Sequence, residues 1–265
     1  MATRINQLIE SNSEVIASNH GGSIFDHSHL YGDAPANVKV VKYRKSYIFE
    51  VPVSELKEMF DSIVEGLCSG EVVWDEAFRT KVDDIATWQM ARLGLPVKSK
   101  WPVQKGIILA GKCGVGKSLL MRALREWQIE INRLFVVPND LMLGSKMMRE
   151  TQISQYLTRG KTIDDLLYGV NGLFVDDFGR VEKVKYFGTD IYPTAEIIEE
   201  YYERWEVGAY QGKRENFTIY GTTNLLPDGD ERKDQFLQYL GAKAYDRLRQ
   251  MAIIVNCNNM EGHRV

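Results

Sequence analysis

Apolar positions divide the chain into two kinds of pattern. Between Ser54 and Gly94 they recur at helical spacing. Leu56, Met59, Phe60 and Ile63 mark a helix that runs from Ser54 to Gly66. Phe78, Val82, Ile85, Ala86 and Met90 mark a second, opening near Asp75 and closed by Gly94. From residue 106 onward, short apolar runs alternate with amphipathic stretches. Gly106–Ala110, Leu134–Val137, Gly172–Gly179, Phe217–Asn224 and Ala252–Asn256 read as strands. Between them lie helical stretches: one to about Asn132, one from Leu141 to about Leu157, a short one opened by Thr162 and Asp165, and one begun by Pro193 with Ile197, Ile198, Tyr201 and Trp205 on one face. A short helix around Phe236 and Leu240 and a last one over Gly241–Gln250 complete the series. Strands alternating with helices predict an α/β fold around a parallel five-stranded sheet.

Two segments carry little pattern. Residues 1 to about 45 hold turn material, a strand-like run from Val38 to Lys42 and a small basic cluster, Lys39, Lys42, Arg44 and Lys45. His27 and His29 sit two apart, and no further His or Cys nearby completes a metal site. The stretch between Gly179 and Pro193 suggests no role. Leu95–Pro102, with two prolines, is an extended connector, and the boundary between the helical part and the strand–helix part falls in the interval 70–100.

Charge and cysteine content narrow the classes. The 265 residues carry a net charge of -3, so any nucleic-acid contact must be a local patch. The three cysteines are scattered singly, which argues against a disulfide framework. No apolar run is long enough to span a bilayer and no signal peptide is evident, so a cytoplasmic location and no membrane partner are expected.

The chemistry begins at Gly111–Ser118, which reads G-x-x-x-x-G-K-S between a buried strand and a helix. Such a loop turns its backbone N–H groups, together with the positive end of the helix dipole, toward phosphate. Gly111, Cys113, Gly114, Val115, Gly116, Lys117, Ser118 and Leu119 are therefore the expected nucleotide cradle. Lys117 would reach the β- and γ-phosphates, and Ser118 would offer its hydroxyl to Mg²⁺. Some sixty residues on, an apolar run ends in Asp176-Asp177. Asp176 suits the metal, and Asp177 suits polarisation of an attacking water. Asn224, at the end of a later strand, could sense the γ-phosphate or that water. In Tyr245-Asp-Arg-Leu-Arg249, a guanidinium could neutralise transferred charge on a neighbouring subunit's nucleotide; position alone does not choose between Arg247 and Arg249.

Gly111–Ser118, Leu173–Gly179, Thr222–Asn224 and Gly241–Arg249 occur in the order that resembles AAA+ ATPases of the DnaC/IstB type. The resemblance covers roughly residues 100–265. It implies a P-loop AAA+ core with flanking helices and no C-terminal lid over 96–265, following a mainly helical partner-binding region over 1–95. It makes Asn224 sensor 1 and Arg247 the arginine finger, so that self-association would run through Arg247. It implies ATP and Mg²⁺ as cofactors, and as partners a replicative helicase, held by the N-terminal region, and single-stranded DNA. The segment 139–168 would be an insertion facing that DNA, with Lys146, Arg149, Arg159 and Lys161 as backbone contacts. The implied activity is ATP-dependent loading of the helicase in a bacterial or phage-infected cell. A transposition helper of the IstB kind, and a nucleotide-gated adaptor with little hydrolysis, remain open beside it.

Overall fold

A computed structural model describes residues 39–43, 46–50, 52–68, 72–134, 146–168, 172–210 and 218–260. His27, His29, Arg44 and Lys45 lie outside them.

The centre is a five-stranded sheet. Its strands are β3 (Gly106–Ala110), β4 (Lys146–Arg149), β5 (Gly172–Phe178), β8 (Thr218–Thr223) and β9 (Ala252–Asn256), ordered β4-β5-β8-β3-β9. Every neighbouring pair is parallel. β3 and β8 are buried at every position; β3 reads as an unbroken apolar run, whereas β8 buries threonines at both ends. The chain enters the sheet at β3, crosses to the far edge at β4, and works back through β5 and β8. It then passes β3 to end at β9. The C-terminal end of β3 is thus a point where the direction of winding reverses, the usual ligand crevice of an open α/β sheet.

Helices cover both faces. Helix α3 (Lys117–Leu134) buries Leu120, Met121, Ala123, Leu124, Trp127 and Ile131. The two N-terminal helices, α1 (Val53–Leu67) and α2 (Glu76–Arg92), join that same cluster through Phe60, Phe78 and Trp88. Phe60 lies 4.9 Å from the Trp127 ring, and Trp88 meets Tyr220 of β8 edge-on at 6.2 Å. These helices therefore share one core with the sheet. Asp75 caps α2 by accepting from the Phe78 amide at 2.8 Å. On the other face lie α4 (Glu150–Thr158), α5 (Ile163–Leu167), α6 (Pro193–Tyr210) and α7 (Gln235–Met251). Thr162 and Asp165 form the expected reciprocal cap, with bonds of 3.0 and 3.1 Å. The expected pair of last helices is one span broken at Gly241, where φ is +76°.

The region after α3 departs from expectation. Leu134 ends a helix instead of opening a strand, and 135–145 lie outside the described residues. Lys146 and Arg149, expected on a helix from Leu141, lie on β4, paired with Leu173 and Asp176 of β5. Helix α4 starts only at Glu150. The described part of the expected insertion, 146–168, therefore begins with an edge strand of the main sheet. The stretch after Gly179 forms an antiparallel hairpin, β6 (Val184–Tyr186) and β7 (Thr189–Ile191). A further hairpin, β1 (Lys39–Tyr43) and β2 (Ser46–Glu50), precedes the helices.

Candidate nucleotide-binding site

The phosphate loop leaves β3 at Gly111 and re-enters regular structure at Lys117. Gly114 and Gly116 have φ of +92° and +88°, a left-handed backbone that a Cβ would oppose. Asn258 clamps the loop's entry: its side-chain oxygen accepts from the Lys112 amide at 2.7 Å. Cys257, one residue before, donates its amide to the Ala110 carbonyl at 2.7 Å. Burial pushes the Cys257 thiol up to about 11, so it packs as an inert apolar group.

Four elements converge on the loop. Lys117 is 7% exposed. Its ammonium donates to the Gly111 and Lys112 carbonyls at 2.7 and 2.6 Å, and to Asn224 Oδ1 at 3.0 Å. Asn224 follows β8, which lies between β5 and β3. The Ser118 hydroxyl donates to Asp176 Oδ1 at 2.7 Å, and so does the Thr222 hydroxyl at 2.7 Å. Asp176 is 3% exposed, a carboxylate buried among donors. The resulting cavity, about 200 Å³, is lined by Cys113, Gly114, Gly116, Lys117, Ser118 and Leu119 with Asp177, Thr222 and Asn224. A larger groove, about 1050 Å³, runs along β9 and contains none of the phosphate-loop residues.

The β5–β8 ladder slips at Asp176 and Asp177: Val175 pairs with Gly221, and the next pair is Phe178 with Thr223. A bulge of this kind re-aims side chains at the end of a strand. The amide that it frees, on Asp177, donates to the Thr222 hydroxyl at 2.8 Å. Asp177 has φ +60°, a region that Asp visits more readily than Glu, which gives a physical reason for Asp at this position. Its carboxylate is engaged by the Arg180 guanidinium at 2.5 Å. That bond raises the Arg180 pKa further above its already high range. Arg180 is largely exposed, so the pair is a weak restraint that solvent and a bound cation can compete with.

The donors present fit Mg²⁺. Among the described residues no three His, Cys, Asp or Glu side chains gather as a metal site. A hydroxyl and one buried carboxylate suit a cation that keeps several waters and takes its remaining oxygens from phosphates. Ser118 and Asp176 would hold it, and its chemistry would be to neutralise charge on the phosphoryl group.

Arg247 does not line the cavity. It lies on α7, bonded to the Glu199 side chain at 3.2 Å and stacked 4.9 Å from the Tyr202 ring. Glu199 also holds Lys243. Arg249 is exposed, 5.8 Å from the Tyr245 ring. The four basic candidates do not share a helix face. Lys146 donates to the Leu166 carbonyl at 3.1 Å, which ties β4 to α5. Arg149, Arg159 and Lys161 are exposed.

Behind Asp177 lies a junction that no pattern in the sequence marks. Glu150, the first residue of α4, is 1% exposed. One of its oxygens accepts from the Arg180 and Val181 amides at 2.9 and 3.0 Å. The other accepts from the hydroxyls of Thr194 and Tyr239, at 2.5 and 2.6 Å. Burial, and then the bond to Glu150, push the Tyr239 phenol far above its usual range, so it stays a neutral donor. The junction fastens the segment after Asp177 to α4, α6 and α7. Nothing local marks it, because a Glu beside polar neighbours looks solvated. Thr222 was legible as part of a polar strand end, and its bridging role was not.

No family model matches the chain, and no curated protein matches it. Among solved structures, the chain is similar to the DnaC helicase loader at a TM-score of 0.45 and 14% identity, covering 76% of this chain and 98% of that one. DnaI matches at 0.45 and 17%, over 81% and 94% of the two chains. AMPPCP-bound DnaA from Aquifex aeolicus matches at 0.43 and 13%, over 70% and 48%. Among the described residues no helix is long and apolar enough to cross a membrane. The fold rests on the strand order together with the placement of the motifs: with the phosphate loop after β3, the paired aspartates on β5 and Asn224 after β8, this is a parallel α/β core built around a phosphate loop.

Proposed function

We propose that the chain is an ATP-dependent loader of a replicative DNA helicase onto single-stranded DNA, hydrolysing ATP within an oligomeric AAA+ assembly. The observation that carries this reading is the division of the motif residues between two places. Lys117, Ser118, Asp177 and Asn224 line one cavity, with Asp176 bonded to Ser118 behind it, while Arg247 stands apart on α7. A phosphate-loop cavity flanked by two aspartates, with the arginine candidate elsewhere, suits completion by a neighbouring subunit. The motif order that resembles DnaC/IstB ATPases supports the loader role.

In this mechanism the loop's amides and Lys117 bind the phosphates, and Ser118 and Asp176 hold Mg²⁺. Asp177 leaves Arg180 to accept a proton from the attacking water, and Asn224 leaves Lys117 to bond that water or the γ-phosphate. Arg247 leaves Glu199 to reach the next subunit's nucleotide. One observation favours the second reading, a nucleotide-gated adaptor with little hydrolysis: Asp177 is already engaged by Arg180.

The test is recovery of the full-length tagged chain from its source cells with Mg-ATP and with ADP. The expected result is a hexameric helicase recovered with ATP, and a particle larger than one chain. Arg247→Ala should bind ATP as the parent does and lose turnover and assembly together. Recovery of a transposase instead, or full turnover in the variant, would overturn the loader or the finger assignment respectively.

A further inference from the structure

The β6–β7 hairpin breaks two local rules at once. Its loop is Phe187-Gly188, between the paired residues Tyr186 and Thr189. Both loop residues have positive φ, +45° and +87°, as a type I′ turn requires. Asn, Asp or Gly is favoured at the first of these positions, and a bulky aromatic there is strained. Nor does burial compensate, for Phe187 is 75% exposed. Burial does not explain an exposed phenylalanine in a strained turn, which points to a use outside the chain.

The rest of the hairpin sorts by face. Val184 and Tyr186 pack inward against the sheet's second core cluster, and Ile191 is buried beside them. Tyr186 also meets Phe187 edge-on at 4.6 Å, which stiffens the tip. Lys183 and Lys185 alternate with the inward residues and are exposed. Lys185 lies on β6 and Lys183 just before it; two residues apart, about 6.5–7 Å in extended chain, each can meet a different phosphate. The acids on this segment are Glu182 and Asp190, and Asp190 pairs with Lys185 at 2.9 Å across the two strands. Lys183 lies 5.3 Å from the Tyr192 ring. Both cations are held only by contacts open to solvent, which a polyanion can displace.

We propose that this outer face docks single-stranded nucleic acid, with Phe187 as the platform on which a base stacks and Lys183 and Lys185 as contacts to its backbone. The combination of an exposed, rigid aromatic and flanking cations matches a strand with alternating π-faces and phosphates. Through Arg180 and Glu150, at the base of the hairpin, the same segment adjoins Asp177, so the docking surface sits next to the hydrolytic carboxylate. The inference rests on the reading that the chain engages single-stranded DNA, and moves the main contact from the four basic residues of 146–161 to the hairpin.

The experiment measures binding of labelled oligo-dT to the full-length chain by fluorescence anisotropy, over a range of salt, with a non-hydrolysable ATP analogue present. Phe187→Asn supplies the residue that the turn prefers, so the melting temperature should stay level or rise. Its affinity for oligo-dT should fall about tenfold, the loss of one stacked base. Lys183→Gln with Lys185→Gln should reduce the slope of log K against log salt by about 1.4, two released counterions on a single strand. Parent-like affinity in Phe187→Asn, with the parent binding, would overturn the hairpin and leave the DNA reading standing. A parent chain that does not bind oligo-dT would overturn both. A variant that keeps DNA and loses self-association would make the tip a protein contact, and a variant that melts lower would make it structural; either overturns the proposal.

Discussion

Lys117→Ala should lower the affinity for ATP by more than about a hundredfold, while the chain stays folded. The ammonium donates to two loop carbonyls and to Asn224 Oδ1, which are neutral acceptors. Binding exchanges some of these for phosphate oxygens, and each bond becomes charge-assisted. Two such bonds, at about 1.5–3 kcal/mol each, account for about 3 kcal/mol or more, which is over a hundredfold in affinity. Lys117→Arg should do no better than alanine, because a long planar fork does not fit a buried corner shaped for a point charge. Calorimetric titration with Mg-ATP checks the affinity. Thermal melting supplies the control: saturating Mg-ATP should raise the parent's midpoint and leave the variant's unchanged. Tight binding by the alanine variant would mean that the phosphates sit elsewhere.

Glu150→Ala should be the most destabilising single change in the chain outside its apolar core. The carboxylate is buried and accepts four bonds, two from amides and two from hydroxyls. Removing it leaves four donors around a cavity. The hydroxyls can turn to other acceptors but the two amides cannot, and each buried donor left unsatisfied costs about 1–3 kcal/mol, which for a chain of this size moves the melting midpoint by on the order of 10 °C. Glu150→Gln should cost much less. Its oxygen can still face the Arg180 and Val181 amides, and its NH₂ can donate to the Thr194 and Tyr239 hydroxyls once these rotate. Equal losses in the two variants would show that the full carboxylate, and not side-chain volume or a partial set of these bonds, is what matters at this position. Because Arg180 lies on the fastened segment, Glu150→Gln should also alter turnover more than nucleotide affinity.

The parts legible in sequence were those whose pattern is local. β3, β9 and the phosphate loop lie where the apolar runs and glycines put them, and the Thr162–Asp165 cap closes as its spacing implied. Lys117, Ser118, Asp177 and Asn224, singled out by the motifs, line one cavity, and Asp176 bonds Ser118 beside it. β4 was not legible. Lys-Met-Met-Arg contains no β-branched residue and has helical propensity; it is a strand because β5 offers it a parallel edge. Lys146 was expected on a helix facing DNA, and its bond to Leu166 is visible only once α5 is packed in place. Asn258 and Glu150 were missed for the same reason. Each acts on residues far away in sequence, and nothing in their neighbours signals it. The hairpin was hidden by its own turn, since Phe-Gly lacks the Asn-Gly signature that marks a tight reversal.

The central claim is that this site hydrolyses ATP through Asp177. Single-turnover hydrolysis of γ-labelled ATP, with Mg²⁺ and with or without single-stranded DNA, tests it most directly on the parent and Asp177→Asn. The parent should hydrolyse ATP, faster with DNA, and the variant should lose at least about a hundredfold at unchanged ATP affinity, the scale of a removed general base. A parent that binds ATP and leaves it intact, or a variant that turns over as fast as the parent, would contradict it.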